Sequence, residues 1–313
     1  MNNRQKQVNQ YMLKSEKLVL EELTKAYQKA LQDINVKIAD LLGRNDIENL
    51  KTIIYQVQYQ RALKKQISAY LDILHGELVE TISDYLIRCY EDGWIGNLFD
   101  LQGQNIPLLI GINQEHVIKA INTNSKLSKS LYDSIDIDDL KKTIQSELSR
   151  GISQSYTYSQ IAKNIDNASK ISLSNAMRIA RTEGHRITQE SIYNNQTEAK
   201  KRGCEIKRQW DSTLDKFTRP HHQRLDGQIV GVDEPFVIES TGDTAMYPGD
   251  FGVAHEDINC RCTVVQVAQW ELDNPSEFTK YDGDAREIQN FKSIEDYEKF
   301  KAEFWKWGEV VND

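Results

Sequence analysis

A chain of 313 residues with 39% hydrophobic and 27% charged side chains can bury more than one core and has an ordinary globular composition. Its net charge of −8 excludes a protein that coats nucleic acid with its whole surface. No run of about 18 apolar residues occurs, which argues against a membrane span, and the polar start Met1–Gln7 lacks the apolar core of a secretory signal, so synthesis and residence in a reducing cytoplasm are expected.

Residues 4–34 are expected to form one long helix, because Leu20, Leu23, Tyr27, Leu31 and Ile34 recur at spacings of three and four. Asn45-Asp46 supplies a cap for a second long helix with the stripe Ile47, Leu50, Ile54, Val57, then Ile67, Leu71, Leu74, Leu78, Ile82 and Tyr85. That length suggests a hairpin or bundle. Gly93, Gly96, Gly103 and Pro107 then break the pattern, which predicts a loop or lid tucked in by Trp94, Leu98, Phe99 and Leu101. Short helices follow at about 114–122, 125–133, 137–149 and 159–166, the last capped by Thr157 or Ser159.

A helix from about 172, capped by Ser172, to 202 joins the two halves. Leu173, Ala176, Met177, Ala180, Gly184, Ile187 and Ser191 share one face of it. Arg181 and Glu183 fall about 80° to either side of that face, so each is expected to reach a partner in the following domain, where Gly184 permits a close approach. Arg178, Arg181, His185 and Arg186, then Lys200-Lys201-Arg202, form local basic clusters. They are a solvated helix face or, at Arg178, Lys200, Lys201 and Arg202, a strip that contacts phosphates.

Beyond Gly203 the texture changes. Residues 204–211 alternate like a strand, glycine, proline and aspartate crowd 226–257, and 262–267 close with a second strand. The charged, aromatic tail is expected to be a helix whose Phe291, Tyr297, Phe300, Phe304 and Trp307 pack back on the protein. The expected class is α+β: a predominantly α-helical region over 1–150, a small mixed α+β domain over 155–268, and a helical tail over 269–313.

Chemistry-capable side chains concentrate between Cys204 and Cys262, which hold three of the four cysteines and three of the six histidines. Cys260 and Cys262 lie two apart, on one face of an extended segment, and a bridge between them would close a strained ring, so no disulfide is expected. Cys89 is expected to be a small core residue.

Three readings compete. His222, Cys260 and Cys262, with His221, His255, Asp226 or Cys204 as a fourth donor, offer what tetrahedral zinc prefers, though a lone Cys-x-Cys is not the paired knuckle of common zinc modules. Asp211, Asp215, Asp226, His222 and Arg219 offer an acid/base or metal-assisted hydrolytic set, and Cys260 beside Arg261 and His222 a nucleophilic thiolate. The structural reading explains more of the residues and is preferred, with no metal assigned. In it Arg219 and Asp226 form an internal ion pair or hydrogen-bond loop backbone, His222 satisfies a backbone carbonyl, Asn259 makes a turn, and Gly227 supplies backbone freedom.

Four linked elements carry a resemblance. They are Ala180-Arg181-Thr182-Glu183; the block from Trp210 through Asp215, Thr218-Arg219 and His222 to Leu225-Asp226-Gly227; Tyr247-Pro248-Gly249-Asp250; and Asn259-Cys260-Arg261-Cys262. In order and spacing they resemble the phage minor head, or head-morphogenesis, proteins related to the F protein of phage Mu, over about residues 155–268. The resemblance makes His222, not His221, the family histidine and leaves His255 in a variable stretch, which removes one natural fourth zinc ligand. It implies a low-copy virion component, made in the bacterial host cytoplasm, that joins the procapsid. It also implies portal, capsid or scaffold partners, with DNA packaging, protection or delivery in some members. The motif establishes no catalytic chemistry; no cofactor, zinc aside, and no membrane partner are expected. The competing expectation is a metal- or thiol-dependent hydrolase or nuclease delivered with the particle.

Overall fold

The computed structural model describes residues 1–42, 53–122, 137–154, 156, 158–273 and 294–311. It is 70% helical with a small sheet-bearing C-terminal part, an α+β architecture. Helices α1 (Asn3–Leu42), α2 (Ile53–Gly103), α3 (Gln114–Asn122), α4 (Asp138–Ser153) and α5 (Tyr158–Lys201) precede the first strand. Then come β1 (Ile206–Asp211), α6 (Pro220–Leu225), β2 (Ile229–Val230), β3 (Phe236–Val237), β4 (Thr244–Ala245), α7 (Ala254–Asp257), β5 (Thr263–Ala268), α8 (Gln269–Asp273) and α9 (Glu295–Val311).

The residues cluster into two compact units that interleave along the chain. One comprises Leu18–Asp84 and Lys129–Ala180. Its α1 seam is Val19, Leu23, Tyr27, Ala30, Ile34 and Ile38, spaced by fours and threes, so Leu20 and Leu31 sit only half-buried beside it. Leu63, Ile67, Leu71, Leu74, Leu78 and Ile82 of α2 are buried as their period predicts, joined by Ile144 and Leu148 of α4 and Ile161 and Ile165 of α5. Each such side chain stabilises the fold by roughly 1.5–3 kcal/mol. Its polar contacts include Lys141 to Asp72 at 2.6 Å, Asn164 to Glu147 at 2.6 Å, and the Tyr27 and Ser172 hydroxyls at 2.7 Å. Ser172 is thus mid-helix and caps nothing, because α5 runs unbroken where two helices were expected. The expected cap at Asn45-Asp46, the helix at 125–133, Thr157 and Phe291 lie outside the described residues.

The other unit comprises Met1–Lys17, Tyr85–Ser128 and Arg181–Asp313. Here the expected loop after Asp92 is helix instead. Helix α2 continues to Gly103, and Trp94, Leu98, Phe99 and Leu101 are buried on it. Gly93, Gly96 and Gly103 mark close approach rather than chain breaks. A Cβ on Gly93 would stand 2.6 Å from the Thr188 carbonyl oxygen, and one on Gly96 would stand 2.4 Å from a Val8 methyl. Gly184 likewise admits the Tyr85 ring, at 2.6 Å from such a Cβ, so its close approach is to α2 and not to the sheet. Helix α5 ends at Gly203 (φ 85°), with the Cys204 N–H donating back to the Ala199 carbonyl.

Strand β1 buries every second side chain: Ile206, Arg208 and Trp210. It is central in an antiparallel sheet of order β2-β1-β5, with Trp210 opposite Val264 and Arg208 opposite Gln266. The outer side of β5 is met by side-chain amides. Gln189 Oε1 accepts from the Val264 N–H at 3.1 Å, and Gln104 Oε1 accepts from the Ala268 N–H at 2.9 Å. The small core comprises Trp210, Leu225, Phe236, Ile238, Ala245, Phe251, Cys260, Cys262 and Val264. The fully buried Arg208 guanidinium donates to the Gly231, Glu234 and Met246 carbonyls and lies between the Tyr193 and Phe236 rings. Burial lowers its pKa to about 10, so it keeps its charge at neutral pH. The tail packs back through Tyr297 and Phe304, both buried, with Phe300 and Trp307 half-buried. Tyr297 stacks edge-on to Tyr11, and Lys301 reaches Asp92.

Candidate functional site

The motif residues converge where α6, the β1–α6 loop, α7 and the segment before β5 meet. Pro220 opens α6, where a proline loses no helical hydrogen bond and its fixed φ suits the first turn. Asp226 Oδ1 accepts the Ser212 N–H at 2.8 Å, and the Ser212 hydroxyl donates to the His222 carbonyl at 2.6 Å. Gly227 at φ 80° then turns the chain back toward β1. Arg219 Nη2 donates to the Ile258 carbonyl at 2.5 Å. Arg219 and Asp226 therefore serve loop backbone, and the internal ion pair once open to them is made by other residues. Arg261 clasps Asp215 bidentately at 2.6 and 2.7 Å and holds that carboxyl well below the usual carboxylate range. Asn259 adopts φ 55°, the left-handed turn conformation that asparagine tolerates, and its N–H donates to Thr182 at 3.2 Å.

His222 does not satisfy a backbone carbonyl. Its Nδ1 lies 3.3 Å from Cys262 Sγ and 3.6 Å from Cys260 Sγ. Its Nε2 lies 2.9 Å from Glu256 Oε2, near enough for an ion pair but not aligned as a hydrogen bond. His222 and Glu256 are each 1% exposed. The other Glu256 oxygen faces His221 Nδ1 at 2.9 Å and His255 Nε2 at 3.4 Å, so one buried carboxylate draws three imidazoles. Trp210 sets its edge against the His222 ring, at 5.7 Å between centroids. Within the cysteine pair, Cys262 is held below the usual thiol range by hydrogen bonds from Cys260 and His222, while Cys260 is raised.

A cavity of about 960 Å³ opens beside these groups, lined among others by Glu16, Arg181, His185, Gln189, Arg219 and Cys260. Here the α5 residues depart from expectation. Arg181 reaches back to Glu16 of α1 at 3.2 Å, and Glu183 pairs at 2.8 Å with Arg186 of its own helix; neither partner lies in the following domain. Arg186 also bonds Glu190 and the Ala120 carbonyl and is buried, and His185 lines the cavity, so the basic cluster on this helix is not one solvated face. Burial pushes the His185 imidazole down to about 4. Arg178 is exposed; Lys200 pairs with Asp233, and Lys201 and Arg202 pair with Glu198.

Sequence reasoning missed Glu256, His185 and Gln189. Glu256 sits one residue past His255 in a stretch without motif residues, and His185 was absorbed into a run of basic side chains. An acidic residue four places before Cys260 beside three candidate imidazoles was the available signal for Glu256.

Residues 142–265 match the family model described as Phage Mu protein F like protein, over the same stretch that carries the linked motifs. That segment is similar to the Mu F-like family. Among individual proteins, the chain is 27% identical over 281 residues to minor head protein GP7 of Bacillus phage SPP1, covering 85% of this chain and 88% of GP7. It is also 32% identical over 281 residues to NAD(+)--arginine ADP-ribosyltransferase EFV of Enterococcus faecalis strain V583. That match covers 88% of this chain, and the chain spans only 56% of that relative's length. A shorter match, 33% over 69 residues, is to uncharacterized protein YqbB of Bacillus subtilis strain 168, and covers 21% of this chain and 23% of YqbB. No solved structure matches the chain.

Proposed function

We propose that this chain is a phage minor head protein of low copy number that acts in head morphogenesis, within the procapsid and virion. Its seat in this reading is the portal or the inner capsid surface, and its partners are portal, shell or scaffold proteins and the viral DNA. The observation that carries the reading is the likeness to GP7 along nearly the whole of both chains, 85% of this one and 88% of the other. A likeness of that extent includes the helical units as well as the motif-bearing site. Among the described residues no helix is long and apolar enough to cross a membrane.

The site favours a structural role for the motif residues. Asp215 is engaged by Arg261, Asp226 by the Ser212 N–H and Arg219 by the Ile258 carbonyl. A hydrolytic set would need those groups directed at a substrate. Quantitative mass spectrometry of sedimented procapsids and mature virions tests the assignment. A few copies per particle in both is the expected result. Absence from both, with abundant protein in the soluble lysate, overturns it.

A second reading rests on the transferase-named relative, with which this chain shares 88% of its own length. Incubation of the purified chain with NAD and an arginine-bearing acceptor separates the two. No ADP-ribosyl transfer is expected, and turnover abolished by His222→Ala in a folded variant would replace the structural reading. For the DNA partner, the double reversal Lys200→Glu/Lys201→Glu is expected to weaken salt-sensitive DNA binding and to reduce its salt slope by about 2. Unchanged binding removes that strip as a phosphate contact.

A further inference from the structure

The His222–Cys260–Cys262 cluster is built more like a metal centre than like a packed core. The three donor atoms lie within 4.8 Å of one another, and all three residues are buried. Zn–S bonds of about 2.3 Å and Zn–N bonds of about 2.0–2.1 Å at tetrahedral angles put neighbouring nitrogen and sulfur about 3.6 Å apart. The distances here are 3.3 and 3.6 Å. Both sulfurs face the same ring nitrogen, and Cys262 Sγ also lies 3.6 Å from Ser212 Oγ. A cation at the centre of the three would engage both sulfurs and the ring nitrogen at once.

Two further features fit. On the far side of the ring, Glu256 stands 2.9 Å from His222 Nε2, the position that an orienting carboxylate takes behind a metal-bound histidine. His185 lines the same cavity as Cys260 and Cys262, and its Nε2 is a buried nitrogen with no hydrogen-bond partner. It is a fourth donor of the kind zinc accepts, on a different helix from the one carrying His222; it lies outside the set whose ligand atoms are within 4.8 Å of one another, so a side-chain shift would bring it to the ion.

We propose that His222 Nδ1, Cys260 Sγ and Cys262 Sγ bind one Zn²⁺, with His185 completing the tetrahedron. In the bound state both sulfurs are thiolates, the remaining thiol proton having left to solvent, and with neutral imidazoles they leave the centre uncharged. Neutrality matters because an unbalanced charge is costly in so buried a place. The metal would tie α6, α5 and the turn before β5 together, in a part of the molecule whose buried core among the described residues counts nine members, Cys260 and Cys262 included. This proposal does not depend on the head-protein assignment.

The test uses the full chain purified under reducing conditions. Metal content by elemental mass spectrometry is expected to be one zinc per chain. After exchange for Co²⁺, the spectrum is expected to show thiolate-to-cobalt charge transfer and the intense visible bands of tetrahedral cobalt. Cys260→Ser and Cys262→Ser should each abolish stoichiometric binding, and His185→Ala should weaken it at least tenfold. Chelation should lower the melting temperature of the wild-type chain. A folded wild-type chain that takes up less than half an equivalent of zinc from a zinc-containing reducing buffer overturns the proposal, whatever the variants do. So does cobalt bound without charge transfer, or zinc retained by Cys260→Ser/Cys262→Ser.

Discussion

The two compact units solve the burial problem differently. Among the described residues, every buried polar or charged side chain except Ser169 belongs to the unit that holds the sheet. The other unit is closed by aliphatic seams at helical spacing, each seam residue interchangeable with another of similar size. Residues of the sheet-bearing unit are held by particular pairings instead: Arg208 to three carbonyls, Asp226 to one N–H, and Gln189 to the strand edge. Apolar seams tolerate drift, whereas a polar pairing loses both partners when one is removed, because the survivor stays buried and unsatisfied.

The sharpest way to break the contrast is at the core of the sheet-bearing unit. Trp210→Ala removes a fully buried indole that touches Phe236, His222 and Phe251, and should cost about 3–5 kcal/mol in denaturant unfolding. Next come two glycines of the same helix. Gly93→Ala should destabilise by about 1–3 kcal/mol, because the new methyl meets a backbone oxygen that cannot move aside. Gly76→Ala should stabilise by about 0.5–1 kcal/mol, since nothing lies within 4 Å of its Cβ position and the helix gains a better former. Equal signs for the two in thermal melts would refute the close-packing account of Gly93.

The smallest expected effect is at the half-exposed Asp215–Arg261 pair, where about 1 kcal/mol is the ceiling. Asp215 has a folded pKa below its unfolded value of about 3.9. Its contribution is therefore present above that unfolded value and lost as pH falls through the folded one. Arg261→Gln should be less stable than wild type at pH 7, and the gap should close as acid protonates Asp215. A gap that widens with acid would contradict the sign.

How much of this was legible in the sequence follows from the same contrast. The seams were readable because a period of 3.6 repeats over many turns, and Leu63 through Ile82 fall where it predicts. Gly93, Gly96 and Gly103 were misread because a missing Cβ can mean either a broken helix or a helix with a close neighbour, and only the neighbour decides. The motif residues announced a common site, yet not their pairings. Asp215, Asp226, Arg219 and Arg261 offer several acid–base combinations at comparable sequence separations, and the turns at Gly227 and Asn259 select among them. His222, Cys260 and Cys262 were legible as a set. Glu256, which faces their histidine, was not, because a buried carboxylate in a loop-rich stretch looks like any solvated one.

The side-chain amides along β5 have a consequence for self-association. A strand with bare N–H groups on its rim invites a neighbouring copy to zip onto it. Gln189 and Gln104 occupy that rim from within the same molecule, at Val264 and Ala268. At the opposite side of the sheet stands β2, only two residues long and too short to template much. Among the described residues the sheet thereby offers a second copy little free backbone edge to extend.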